Sequence, residues 1–311
     1  MKGFFSVIIA FFALGQIFSQ IDDKEAVLKK KAEGTGDSSK TWKAGGVFNA
    51  NTTQVALSNW AGGGQNSISV QGILGLYANH AKGKLAWDNN LDLAYGVVKQ
   101  GSLDWFKNDD RIELNSKFGY QASSKWYYAG LLNFRTQFVE GFNNPGEINY
   151  ISNFLAPGYT TIALGMDYKP NDRLTMFISP ATIKVTIVTD ELLSSQGAFG
   201  VLPGQKVRAE FGGYLKAMFQ QKKLFGNENL SFKTNVSLFT NYANKPQNID
   251  VTADAIFTAK VAKYLSVSLS AFLIYDDDIN IKLYDDNNVE IGEGPRTQFK
   301  EVLALGFAYK F

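Results

Sequence analysis

The chain closes on a strict two-residue alternation. Leu303, Leu305, Phe307, Tyr309 and Phe311 are large and apolar or aromatic, while Val302, Ala304, Gly306, Ala308 and Lys310 stand between them. Successive side chains of a strand point to opposite faces, so as a strand this segment has one greasy face and one narrow one. On a helix Leu303 and Leu305 would lie about 200° apart, leaving no apolar stripe to bury. Such a strand suits the last position of a membrane barrel, where a terminal aromatic on the lipid face resembles the signal read by the barrel-assembly machinery of outer membranes. The alternative is the final strand of a soluble sandwich.

The same period recurs from Thr41 onward. Between Leu85 and Lys99, the residues Leu85, Trp87, Leu91, Leu93, Tyr95 and Val97 share a face opposite Asp88, Asn90, Asp92 and Ala94. Between Arg111 and Gln121, Ile112, Leu114, Phe118 and Tyr120 oppose Arg111, Glu113, Asn115 and Lys117. Further strands are expected at Trp42 to Leu57, Ile68 to Lys82, Trp126 to Val139, Thr161 to Lys169, Leu174 to Val188, Lys206 to Gln220, Asn229 to Asn241, Ile249 to Lys260, Leu265 to Tyr275 and from Phe299 onward. The expected fold is all-β, an up-and-down antiparallel transmembrane barrel of twelve strands.

The connections alternate in length. Gly83–Lys84, Ala122–Lys125, Pro170–Arg173 and Ala262–Tyr264 are short, and Gln221–Glu228 is intermediate. Between them lie the longer 58–67, 100–110, 140–160, 189–205 and 276–298 and the shorter 242–248. Short turns on the periplasmic side and long loops outside are the pattern of bacterial outer-membrane barrels, and an even strand number returns both termini to the periplasm. Pro180 interrupts the seventh strand and predicts a bulge or break, because proline removes a ladder donor.

Ahead of the barrel, Lys2 precedes an apolar run from Phe4 to Phe18, too short for a comfortable membrane helix. Residues 1–20 read as a cleaved signal peptide, 21–40 as a flexible periplasmic tail, and 41–311 as the barrel. Aromatics make up 14% of the chain and hydrophobic residues 45%, as expected where lipid-facing and lumen-facing positions alternate. The formal charge of +2, with no basic block interleaved with aromatics, gives no footing for a nucleic-acid partner. Cysteine is absent, which removes disulfides, a thiol nucleophile and a lipid-attachment site.

Several segments, among them NWAGGGQNSIS (59–69), WDNNLDLAYGVVKQ (87–100), KWYYAGLLNFRTQF (125–138) and GPRTQFKEVLALGFAYKF (294–311), resemble an uncharacterised, domain-of-unknown-function family of Bacteroidota outer-membrane proteins. The resemblance runs over roughly 41–311. It implies compartment and fold, with no activity or catalytic residue to carry over.

Candidate functional groups lie on the inner face. Arg111, Lys117, Arg135, Lys184, Arg208, Lys216, Lys233 and Lys260 stand against Asp88, Asp92, Glu113, Asp167, Glu210, Asp250 and Asp254, so the signs nearly cancel. Twelve strands leave only a narrow bore, so this balance suits a narrow, weakly selective solute channel. The alternatives are a closed barrel serving as an accessory or scaffold subunit of an envelope assembly, secretion or uptake complex, and a lipid-acting enzyme. Hairpin geometry predicts Glu113 opposite Arg135 and Asp92 opposite Lys117. The single histidine, His80, reads as an interfacial side chain near a periplasmic turn, so no catalytic residue is assigned. Asp276, Asp277 and Asp278 with Asp285 and Asp286 make an acidic last loop that lacks the spacing of a calcium loop and reads as a solvated hairpin. Gly62 to Gly64 read as a mobile loop, and Trp60, Trp105, Phe142 and Phe154 as girdle or loop-packing aromatics. Expected partners are outer-membrane lipid, the assembly machinery and other envelope proteins; no cofactor is called for.

Overall fold

The structure, a computed structural model, describes residues 41–58, 65–142, 148–262, 264–278, 280–284 and 290–310. The expected signal peptide and tail, Trp60, Gly62 to Gly64, Asp285, Asp286 and Phe311 lie outside the described residues.

Twelve strands close into one antiparallel barrel. In chain order they are β1 (Trp42–Val55), β2 (Ser67–Lys82), β3 (Leu85–Gln100), β4 (Phe106–Gln121), β5 (Trp126–Thr136), β6 (Gly158–Tyr168), β7 (Leu174–Ile187), β8 (Val207–Gln221), β9 (Leu230–Asn241), β10 (Ile249–Lys260), β11 (Leu265–Tyr275) and β14 (Gln298–Lys310). Each pairs with its chain neighbours, and β14 closes against β1. A separate two-stranded ribbon, β12 (Asn280–Tyr284) with β13 (Glu290–Pro295), rises within the last long connection. One end of the barrel carries the short turns, here the turn end, and the other carries the long connections, the loop end.

Three boundaries differ from the sequence reading by three or more residues. The fourth strand starts at Phe106 instead of Arg111, the sixth at Gly158 instead of Thr161, and the fifth stops at Thr136, short of Val139. Phe106–Asp110 is polar enough to resemble a loop, yet it continues the ladder because a lumen accepts charged side chains that a soluble core would reject.

The outer face is apolar around the ring. Phe118 is 48% exposed, Tyr128 59%, Leu164 64%, Phe211 49% and Leu305 58%. Isolated exposed apolar residues are ordinary, but a continuous belt far exceeds what a monomer keeps in contact with water, and it is the surface of a lipid-facing barrel. Aromatic pairs mark the turn-end rim. Trp42 stacks on His80 at 4.9 Å and meets Trp87 at 5.8 Å, Trp126 meets Tyr168 at 4.6 Å, and Tyr264 meets Phe307 at 5.5 Å. Closure pairs backbone groups between strands, the requirement for any chain that crosses hydrocarbon as sheet.

Pro180 does create a bulge. The β7 ladder slips between Ser179 and Thr182 on its β8 side, and β6 slips opposite, between Leu164 and Met166. Hydroxyls stand in for the missing ladder bonds. The Ser179 Oγ donates to the Leu164 carbonyl at 2.8 Å and Thr182 Oγ1 to Ser179 Oγ at 2.8 Å. Gly165 faces this slip, where a Cβ would meet the Ile178 carbonyl oxygen at 2.0 Å.

Candidate functional site

The lumen is built by strand parity. Because β3 places Asp88 and Asp92 on the inner face, and β4 places Asp109, Arg111, Glu113, Asn115 and Lys117 there, adjacent strands bring these charges side by side. Glu113 stands opposite Arg135 of β5, in the expected register. The β3–β4 pairing is different from the expected one: Asp92 faces Glu113, and Lys117 faces Asp88. The sequence reading put the hairpin centre about two residues too late, since β4 runs five residues further towards its loop, and the pairing shifts by four.

At the turn end Lys117 Nζ lies 2.9 Å from Asp167 of β6, and Lys169 Nζ lies 3.4 Å from the same oxygen. Lys169 also sits over the Tyr127 ring, 5.4 Å from its centroid. Midway, the buried Arg111 guanidinium interacts with the carboxylates of Asp92, Asp109 and Glu113. Glu113 accepts from Asn133 at 3.0 Å and from Asn115 at 3.3 Å. Across the bore, Asn235 of β9 donates to Asp254 of β10 at 2.9 Å, beside the buried Lys233. Asp254 of β10 and Glu113 of β4, on well-separated strands, lie within electrostatic range of each other.

Towards the loop end, Arg208 Nη2 donates to Glu210 at 2.7 Å and to Asp278 at 3.2 Å. Asn241 donates to the other Glu210 oxygen at 3.2 Å. Lys184 pairs with Asp250 at 2.9 Å and lies 4.2 Å from the Phe239 ring centroid. Arg135 is exposed, and it and Arg208 both lie within electrostatic range of Tyr159. On the β1–β4 side, Asn51 donates to Gln71 at 2.8 Å, and Gln71 donates to Asp109 at 2.5 Å.

The acidic last loop is drawn into this network. Asp278 bonds Arg208, while Asp277 accepts from Asn248 and from the Tyr275 hydroxyl. No cluster of three or more His, Cys, Asp or Glu arranged for a metal occurs among the described residues. His80 faces outward among the rim tryptophans, away from every lumenal carboxylate. Sequence reasoning passed over Asp109, Gln71, Asn133 and Asn235. The same period-two parity reaches them, but a tally restricted to charges, with β4 begun at Arg111, leaves them out.

Two long connections are folded onto each other at the loop end. Asp190 caps the short helix α1 (Glu191–Ser195) by accepting from the Leu193 amide at 3.0 Å, and its other oxygen accepts from the Tyr150 hydroxyl at 2.9 Å and from Asn153 at 3.4 Å. Beneath them Ala156, Val188, Leu193 and Val201 form a small buried apolar cluster. Partial burial alone would raise the Asp190 carboxyl, but the Leu193 amide, Tyr150 and Asn153 outweigh it and hold the group below the ordinary aspartate range. The hydrogen bond to Asp190 pushes the Tyr150 hydroxyl up.

A family described as a protein of unknown function (DUF3078) matches residues 52–142. No curated protein matches the chain. Among solved structures, similar chains include the translocator domain of the autotransporter NalP from Neisseria meningitidis, at 9% identity, TM-score 0.36, covering 93% of this chain and 95% of that one. An outer membrane channel from Pseudomonas putida F1 is 10% identical with TM-score 0.39, covering 89% of this chain and 100% of that one. The CymD monoaromatic hydrocarbon channel is 12% identical with TM-score 0.39, covering 96% and 94%.

Proposed function

We propose that this chain is an outer-membrane barrel that conducts small hydrophilic solutes through a narrow, weakly selective lumen. One observation carries the reading. Inner-facing ion pairs keep part of their surface open instead of vanishing into a packed core: the Lys184 and Asp250 side chains are 28% and 19% exposed, and those of Arg208 and Asp278 22% and 30%. Buried Arg111 and Lys233 narrow the bore between the ends, so passage is restricted to small species. Charges of both signs line the path, which favours weak selectivity. A signal peptide at 1–20 delivers the chain, and the alternating closing strand is the element offered to the assembly machinery.

A sealed barrel serving as a subunit of an envelope complex is the second reading, and the burial of Asp88, Asp92, Arg111, Asp167 and Lys233 favours it. The outward position of His80 supports a non-enzymatic role. Conductance of the folded protein in planar bilayers separates these readings. Steady openings support the channel; folded, inserted protein without conductance replaces it by the sealed barrel.

A further inference from the structure

Eleven of the twelve junctions around the barrel share ten or more paired residues. The junction that closes it shares five, from Val47–Lys310 to Asn51–Gly306. Beyond Asn51, β1 continues through Thr52, Thr53, Gln54 and Val55, held on its other edge by β2 from Thr52–Val70 to Val55–Ser67. Beyond Gly306, β14 extends through Leu305 to Gln298, held on its other edge by β11 from Val267–Leu305 to Ile274–Gln298. Both stretches are regular strand, and among the described residues each is laddered on one side only. The seam is therefore zipped at the turn end and unpaired at the loop end.

Unpaired strand edges are costly in hydrocarbon, where water does not solvate the free N–H and C=O groups. The two flanks of this slot differ in character. The β1 side reads Asn51-Thr52-Thr53-Gln54, with Thr52 and Gln54 exposed. The β14 side carries Leu303 and Leu305 outward, 53% and 58% exposed. Just inside, β11 presents the small, buried Ser268 and Ser270; Lys300 and Glu301 stand near the loop-end start of β14, and Arg111, Glu113, Lys233 and Asp254 lie on β4, β9 and β10. A purely hydrophilic solute gains nothing from the leucines, and a purely apolar one leaves the free β1 edge unsatisfied. A molecule with a polar head and one hydrocarbon tail satisfies both.

We propose that the half-open β1–β14 seam is a lateral portal through which single-chain amphiphiles pass between the lumen and the loop-side leaflet. The inference rests on the membrane placement proposed above and not on conduction.

The cysteine-free chain permits a direct test. Thr53→Cys with Ala304→Cys spans the open half, and Asn49→Cys with Ala308→Cys spans the zipped half; both pairs obey one register. In vesicles, after heat-modifiable folding of both variants is verified, oxidation should close the zipped pair at least tenfold faster than the open pair. Once the open pair is oxidised, transfer of dodecanoate from the bilayer into the lumen should fall at least fivefold, with salt conductance unchanged. Equal cross-linking rates, failure of the zipped pair to cross-link, or dodecanoate transfer indifferent to the lock would each overturn the portal.

Discussion

Lys117 reaches past β5 to bring its ammonium 2.9 Å from the Asp167 carboxylate of β6, and Lys169 shares that oxygen at 3.4 Å. Two cations on one carboxylate, whose side chain is only 3% exposed, make Asp167 the keystone of the turn-end lumen. Asp167→Asn leaves both lysines facing each other across a confined space. Removing one partner of a buried ion pair costs about 3–5 kcal/mol, and the lower end is expected here because the lysines retain some exposure. Lys169→Met should cost less, since Lys117 still neutralises the aspartate. Urea unfolding of the detergent-solubilised barrel measures both, and an Asn variant as stable as the parent would remove the pair from the account of lumen stability.

Arg135 governs selectivity if the bore conducts. Arg135→Gln withdraws a positive charge from the exposed loop-end lumen beside Glu113, so the reversal potential in a KCl gradient should move towards cation preference. The shift should fade as salt approaches about 1 M, where the Debye length falls to about 3 Å. A salt-independent shift would point to a change of bore shape instead.

The lipid face carries a different penalty. Leu305→Arg or Phe307→Arg places a charge on the outward side of β14 and should cost about 2–4 kcal/mol near the bilayer midplane, falling towards the rims. The readout is the loss of the heat-modifiable band on folding into vesicles. Normal insertion of both variants would argue that this face does not meet lipid.

Gly212 admits no side chain. A Cβ there would sit 1.8 Å from the Thr240 carbonyl oxygen, a backbone atom of the paired strand that cannot swing aside. Gly212→Ala should therefore slow or abolish barrel closure. Gly72→Ala is the control, since its nearest neighbour stands 4.0 Å away, and folding yield of the two variants compares them.

The loop-end cap should loosen in acid. The folded Asp190 carboxyl lies below its unfolded value, so the stability it contributes is fully present above the unfolded value, about pH 4, and is lost as pH falls through the lowered folded value. Hydrogen exchange of 150–156 and 190–196 should accelerate at low pH while the barrel strands stay protected. Asp190→Ala should give the same loosening at neutral pH, costing about 1 kcal/mol for the lost helix cap alone.

Strand identity and face were legible in the sequence because a period of two is a local property. Leu303 to Phe307, Leu85 to Val97 and Ile112 to Tyr120 each declare their outer side without reference to any partner. Glu113 and Arg135 could also be paired, because the turn at 122–125 is too short to slip. Asp92 could not be paired correctly. Its register depends on where the β3–β4 connection ends, and Phe106–Asp110 carries loop-like composition inside a strand.

What the sequence by itself determined is the alternation, and with it an all-β barrel with an apolar outside and a charged inside; local sterics of the extended chain require no more. Only the tertiary structure decided which charges meet and where the wall is weakest. Lys117 finds Asp167 across an intervening strand, Asp278 returns from the last long connection to Arg208, and β1 meets β14 over five residues after the whole ring has been laid down. Those contacts depend on strand tilt and stagger accumulated around the closed sheet, a sum over every junction that no single segment contains.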